Sequence, residues 1–293
     1  MSARVAVFGP TAVGKTEFAI ALAQEVGGEI VSSDAVQLYR GFDRGSAKPT
    51  LAERGGIAHH LLDVADPEMG LSVAVYQTLA EEAIRGIERR GRVPIVTGGS
   101  GLYLRAALGE WSSFGAPPDP TLRAWAASAG LEAVRERAMS LDPSGASRLS
   151  ATDLPRLLRV IERAQQRALP HSLAPSEHFL KIGLQRPRSE LYARINARSM
   201  VLWPALLEEA AGMIARGGAI SALADRTIGY REAAQALRGA LKQEEAIALL
   251  QRNTRRLAKR QLTWWRRETN TIWVRPDEGL AQLSPSLQML LAH

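Results

Sequence analysis

The octet Gly9-Pro10-Thr11-Ala12-Val13-Gly14-Lys15-Thr16 meets every fixed position of the pattern G-x-x-x-x-G-K-S/T and constrains the fold more than any other stretch of the chain. The apolar run RVAVFG, residues 4–9, leads into it, and Phe18, Leu22 and Val26 then recur on one helical stripe. Such a loop belongs between a buried strand and a helix N-terminus. Its glycines let backbone N–H groups close around an anion, and the helix start adds unpaired amides and the positive end of its dipole. The pattern predicts that residues 9–16 bind phosphate, that Lys15 reaches the outer phosphates and that the Thr16 hydroxyl ligates Mg²⁺. It leaves open whether the ligand is a triphosphate or the pyrophosphate of another molecule.

The rest of the chain extends the strand–helix alternation. Gly27-Gly28 stop the first helix, residues 29–34 (EIVSSD) read as a second strand, 75–90 as a helix, and 92–97 (RVPIVT) as a third strand closed by Gly98-Gly99. This predicts a parallel α/β sheet. After Trp111 the texture changes. Residues 113–120 (SFGAPPDP) read as a linker and 121–167 as mainly helical; 179–184 (FLKIGL) suit another strand, 189–250 more helices, 272–274 a last edge strand, and the residues after Pro276 a peripheral tail. The expected division is a core of residues 1–112 and 200–293 around a helical insertion of 113–199.

Composition narrows the chemistry. With no cysteine, disulfides, a thiolate nucleophile and Cys-based metal sites are excluded. No apolar run approaches the roughly 20 residues of a membrane span, and the apolar stretch at residues 5–8 is too short for a secretory signal, so a cytoplasmic protein is expected. A net charge of +7 favours polyanionic partners or a solvated basic surface. Much of that charge sits in residues 252–267, where Arg252, Arg255, Arg256, Lys259, Arg260, Arg266 and Arg267 surround Trp264 and Trp265 without one acid. That density can track a phosphate backbone, with one tryptophan facing the core.

Several single residues suit a reaction. Asp34 falls at the end of the second strand, where a carboxylate can act as a base or hold Mg²⁺ through water, or simply build a turn. Ser100 stands in a Gly-Gly-x-Gly turn, and Gln37 carries an amide able to read a base edge. Arg194 and Arg198 share a helix face and could meet phosphates or pair with Glu190. His59 and His60 read as a turn residue and a packed one.

The segment Ser33-Asp34-Ala35-Val36-Gln37-Leu38-Tyr39-Arg40-Gly41-Phe42-Asp43-Arg44-Gly45-Ser46-Ala47-Lys48-Pro49 resembles the signature of the tRNA dimethylallyltransferases. Further similar blocks follow in order: His59 to Asp63 with Asp66-Pro67, Pro94 to Tyr103, Asp153 with Arg156, Arg159 and Glu162, Arg194-Ile195-Asn196 with Arg198, Ile228 to Glu232, and Thr254 through Trp264. The resemblance covers residues 4–266. It implies a P-loop NTPase-like parallel sheet flanked by helices, with a mainly helical insertion that grips the tRNA anticodon stem-loop. It implies transfer of a dimethylallyl group from dimethylallyl pyrophosphate to N6 of the adenosine beside the anticodon, with Mg²⁺; nothing in the sequence demands a dimer, and a monomer is expected. On this resemblance Asp34 and Ser100 are catalytic, and residues 9–16 with Arg194 hold the pyrophosphate. The tRNA would meet Asp34, Ala35, Val36, Gln37, Ser100, Pro155, Arg156, Arg159, Glu162, Arg198, Arg255, Lys259 and Arg260. Ala35 and Ser100 depart from the family's usual Ser and Thr, and Leu38 and Phe42 vary apolar positions. A kinase using Asp34 on a hydroxyl, or a nucleotide-dependent RNA-binding switch, are the rival readings of the loop alone.

Overall fold

The structure, a computed structural model, describes residues 3–68, 70–110, 119–165, 179–283 and 285. The chain forms two compact units, one of Met1–Glu110 with Pro175–His293 and one of Trp111–Ala174.

The first unit opens with β1 (Arg4–Phe8), α1 (Lys15–Val26), β2 (Gly28–Ser32), a single 3₁₀ turn at Arg44–Ser46, β3 (His59–His60), α2 (Val73–Arg89), β4 (Val93–Gly98) and α3 (Gly101–Ala107). The second unit holds α4 (Pro120–Leu141), α5 (Pro143–Ser147) and α6 (Leu154–Gln165). The chain then returns to the first unit through β5 (Phe179–Leu184), α7 (Arg188–Gly217), α8 (Ala222–Arg226), α9 (Tyr230–Leu237), α10 (Gln243–Trp265) and β6 (Thr271–Val274). The six strands are all parallel in the order β3-β2-β4-β1-β5-β6.

A parallel sheet is covered on both faces, so its central strands need no alternation. Val5, Ala6, Val7 and Phe8 are all fully buried, as are Ile95 and Val96. Phe18 and Leu22 of α1 pack against Val5, Val7, Ile30, Ile95 and Ile182 in one core, each fully buried large side chain contributing roughly 1.5–3 kcal/mol. Leu283 is fully buried in the same core, so the segment expected to be peripheral closes it. Helix α1 stops at Gly27, whose N–H bonds the Ala23 carbonyl, and α2 starts at Ser72, whose hydroxyl accepts the Val75 N–H.

In the second unit Asp119 caps α4 by accepting the Thr121 and Leu122 N–H groups, and α4 is kinked at Gly130. Leu122, Ala126, Val134 and Ala138 pack on Leu157, Leu158, Val160 and Ile161 of α6. Most of the expected linker, residues 113–118, lies outside the described residues.

The expected boundary of the insertion at residue 199 is corrected to Ala174. Strand β5 pairs with β1 from Phe179 to Gly183, and residue 199 falls inside α7, whose Leu191, Ile195 and Leu206 are buried in the first unit. The run 179–184 reads as a strand, but its own residues do not show that it pairs with β1. His59 and His60 are also placed differently from expectation. They form the edge strand β3, and His60 Nε2 lies 2.7 Å from Glu29 Oε2.

Register fixes where a ligand can sit. Phe8 pairs with Gly98, and Ser32 pairs with Thr97, so the phosphate loop, the Asp34 segment and the Gly98-Gly99 turn leave the sheet side by side. This is the carboxyl edge beside β1, where strand order reverses and open α/β sheets bind ligands.

Candidate active site

A cavity of about 1000 Å³ opens at this edge, entirely within the first unit. Thr11, Lys15, Thr16, Asp34, Gln37 and Arg198 are among its walls.

The phosphate loop is held from outside by its carbonyls. Lys15 Nζ donates to the Gly9 and Pro10 oxygens at 3.1 and 2.9 Å. Arg194 Nε donates to Ala12 O at 3.0 Å and Arg186 Nε to Val13 O at 2.9 Å. The first-turn amides of α1 have no intrahelical acceptors of their own and remain for an anion. Gly14 holds φ at 109°, a region L side chains avoid, and Ala12 sits at φ 63°. Burial of Lys15 pushes its ammonium down to about 8; Asp34 opposes the shift and Arg198 adds to it. The residue is half-buried in the cavity wall, so an anion arriving from that side favours the ammonium form and opposes the effect of burial.

Asp34 lies two residues past the end of β2 rather than within it. Its Oδ1 accepts the Val36 N–H at 2.8 Å and the Gln37 N–H at 3.3 Å. One carboxylate oxygen thus builds a turn that fixes the group at the cavity wall. Ser100 Oγ accepts the Ala35 N–H at 3.2 Å, tying the glycine turn to the Asp34 segment. Ala35, Val36 and Gln37 are half-buried there. Gln37 Nε2 donates to Ser46 O and Ala47 O at 3.3 and 3.1 Å, so this amide offers a ligand its carbonyl oxygen and not its donors.

The strap of residues 39–48 beneath Gln37 is anchored by residues whose roles the sequence left unassigned. Buried Lys48 donates to Tyr39 O, Asp43 Oδ1 and Asp63 Oδ1 at 3.1, 2.7 and 2.5 Å. Tyr230 packs its ring at a tilt against Phe42 at 4.7 Å and donates to Glu209 Oε2 at 2.5 Å, while Glu209 Oε1 accepts the Gly45 N–H at 3.2 Å. Fully buried Glu232 accepts from Gly229 N and Asn253 Nδ2, both at 2.7 Å, and from Arg231. The Gly229 to Glu232 block is therefore the joint between strap, α7, α9 and α10.

The basic helix α10 divides its residues. Lys259 and Arg260 are exposed, whereas Arg255 Nη1 donates to Asn196 Oδ1 at 2.6 Å and joins α10 to α7. Trp265 is fully buried against Phe8 at 4.7 Å, and Trp264 is 38% exposed beneath the Arg105 guanidinium at 5.3 Å. Gln261, which the sequence did not single out, bridges the Thr11 N–H at 2.8 Å and the Gly99 carbonyl at 2.9 Å. Arg194 and Arg198 both face this region, and Glu190, the partner first considered for them, bonds Arg186 and Arg275 instead.

In the second unit Pro155 and Arg156 are exposed. Glu162 is buried and accepts from Asp119 N at 3.0 Å, Arg123 Nε at 3.2 Å and Arg159 Nη1 at 2.5 Å. Glu162, expected to meet tRNA, is instead buried here, with its oxygens holding two arginines and the start of α4.

The IPP transferase family model matches residues 37–268. A tRNA dimethylallyltransferase of Anaeromyxobacter dehalogenans is 46% identical over 96% of this chain and 95% of its own length. The full-length tRNA isopentenylpyrophosphate transferase from Bacillus halodurans is 35% identical, with a TM-score of 0.75 over 100% of this chain and 97% of that one. A eukaryotic dimethylallyltransferase acting on tRNA shares the fold at a TM-score of 0.77 and 24% identity, over 90% of this chain and 70% of that one. With the family matched from the strap to the end of α10 and the fold matched throughout, the chain belongs to the IPP transferases, the enzymes named tRNA dimethylallyltransferase.

Proposed function

We propose that the enzyme transfers a dimethylallyl group from dimethylallyl pyrophosphate to the exocyclic N6 of the adenosine beside the anticodon in tRNA. The observation that carries this reading is one cavity walled by a phosphate loop, a fixed carboxylate at Asp34 and the acceptor amide of Gln37. The bond from C1 of the donor to N6 forms as the bond from C1 to the pyrophosphate oxygen breaks. Asp34 takes the N6 proton, because an aromatic amine is a poor nucleophile until that proton is accepted. Lys15 and the first-turn amides of α1 receive the charge that grows on the leaving pyrophosphate. Arg194 and Arg198 add positive charge to the same wall. The adenosine must leave the anticodon-loop stack to reach Asp34, as target bases do in enzymes that act on them.

The Thr16 hydroxyl and the Asp34 carboxylate line the same cavity, and Mg²⁺ is suited to one or two protein oxygens completed by substrate phosphates and water. Thr16 would hold it, and it would supply charge neutralisation to the pyrophosphate.

Exposed Lys259 and Arg260 on α10, with Pro155, Arg156 and Arg159 in the second unit, are the residues proposed to meet the anticodon stem-loop. Among the described residues no helix is long and apolar enough to cross a membrane, and the proposed setting is a monomer acting on cytoplasmic tRNA. Strand β4 ends in Thr97-Gly98 without an acid, which counts against the kinase reading.

The test offers dimethylallyl pyrophosphate and ATP separately, with Mg²⁺ and unmodified tRNA carrying adenosine beside its anticodon. Nucleoside mass spectrometry is expected to show one added isopentenyl group on that adenosine, lost in Asp34→Ala. Phosphate transfer from ATP without prenylation would overturn the reading.

A further inference from the structure

Helix α10 carries Arg252, Arg256, Lys259 and Arg260 exposed to solvent, yet Gln261 of the same helix lines the cavity. Its amide is used at both ends on two different parts of the site. Oε1 accepts the Thr11 N–H of the phosphate loop at 2.8 Å, and Nε2 donates to the Gly99 carbonyl of the turn after β4 at 2.9 Å. The approach is close. A Cβ on Gly99 would lie 2.7 Å from Gln261 Nε2 and 3.7 Å from Lys15 Nζ, so only glycine leaves room for the bridge beside the lysine. A planar amide makes both bonds in one orientation only, and no other side chain of that length both donates and accepts without charge.

We infer that Gln261 is a positioning residue for the diphosphate site, holding the Thr11 limb of the phosphate loop against the Gly99 turn from the helix proposed to carry RNA. The inference rests on the reading that this loop holds the donor's pyrophosphate. Without the bridge, the Thr11 N–H and the Gly99 carbonyl must each find water or another partner. The loop amides then spend part of their time out of place for an anion. The loss falls on donor binding, because Gln261 takes no proton and touches none of the bonds that form or break.

The test uses Gln261→Met, which keeps length and volume without the two hydrogen bonds, and Gln261→Glu, which can accept from Thr11 but cannot donate to Gly99. Calorimetric titration with Mg²⁺ and inorganic pyrophosphate gives the loop's affinity. Steady-state rates give KM and kcat for dimethylallyl pyrophosphate, and tRNA affinity is measured without donor. Gln261→Met is expected to weaken pyrophosphate about tenfold and to raise the donor KM similarly, with kcat and tRNA affinity within about twofold of the parent. Gln261→Glu is expected to weaken pyrophosphate further, because a carboxylate now stands beside Lys15.

Parent-like pyrophosphate affinity and KM in Gln261→Met overturn the inference. So does loss of pyrophosphate and tRNA binding together with the thermal transition, which would mark a general packing role. If Gln261→Met does not fold, the Gln261→Glu titration decides by the same criteria. A parent enzyme that prenylates tRNA yet binds no pyrophosphate would instead sink the reading of the loop on which the inference stands.

Discussion

The Ser100 hydroxyl accepts the Ala35 amide hydrogen at 3.2 Å, so the turn after β4 directly braces the segment that carries Asp34. The bond sets the position of the proposed base and not its charge. Ser100→Ala is expected to lower kcat by about tenfold, the effect of one lost positioning hydrogen bond, with the donor KM nearly unchanged. Ser100→Thr keeps the hydroxyl and should retain most of the rate. Steady-state kinetics of both variants check this, and an unchanged kcat in Ser100→Ala would remove the brace from the mechanism.

Lys15 gives the site a pH dependence whose sign follows from its burial. Its ammonium titrates near 8 in the free enzyme, and a bound pyrophosphate must raise that value by favouring the charged form. Donor affinity is therefore complete below about 8 and falls as pH rises through that value toward the higher pKa of the complex. Donor KM measured from neutral to alkaline pH should rise along this limb, and Lys15→Ala should bind weakly at all pH values without the limb. A flat KM profile in the parent would contradict it.

Glu29 makes an acid-side prediction. The hydrogen bond from Arg90 and the contact with His60 hold its carboxyl at about 2, against a burial that opposes them. A carboxyl held below its unfolded value of about 4.3 stabilises the fold above that value and loses the contribution as pH falls toward 2. Glu29→Gln should therefore narrow the stability difference between neutral and acid pH, read as thermal midpoints across the range. An unchanged acid slope would show that the β2–β3 edge does not depend on this carboxylate.

The parts legible in the sequence were those whose cause is local. The loop pattern, the apolar runs of β1 and β4, and the stripe of Phe18 and Leu22 each specify an element from its own residues. The boundary at Ala174 was missed although 179–184 reads as a strand, because nothing in those six residues shows that they pair with β1 at the far end of the sequence. Gln261 was out of reach for a different reason. Its partner Thr11 is 250 residues away, and a glutamine amid arginines carries no periodicity that shows which way it faces. Glu162 was expected at the RNA only through the family resemblance, and it takes the fold to show that its buried oxygens bind Arg123 and Arg159.

Lys48 tests the strap. A buried ammonium bonded to Asp43, Asp63 and the Tyr39 carbonyl holds together the loop that presents Gln37. Both aspartates are partly exposed, so water can repair part of the loss. Lys48→Met is expected to destabilise the fold by about 2 kcal/mol and to raise the KM for tRNA more than that for the donor. Chemical denaturation and paired KM measurements check it, and a donor-specific defect would move Lys48 from the strap to the phosphate site.

The tandem tryptophans separate packing from recognition within one helix. Trp265 is fully buried against Phe8 of β1, so Trp265→Ala should cost about 3–5 kcal/mol, as large aromatic deletions from a core do. Trp264 keeps 38% of its surface and lies under Arg105, whose Nε and Nη2 both donate to one carboxylate oxygen of half-buried Glu268. Removing Trp264 therefore leaves Arg105 held, and Trp264→Ala should change stability by only about 1 kcal/mol. Its exposed face sits on the helix proposed to meet RNA, where an aromatic ring contributes about 1–3 kcal/mol per stacked base. Thermal melts and tRNA binding on the two variants should then show opposite patterns. Equal loss of stability in both would make Trp264 a second core residue, and unchanged tRNA affinity in a folded Trp264→Ala would take this face of α10 out of the RNA interface.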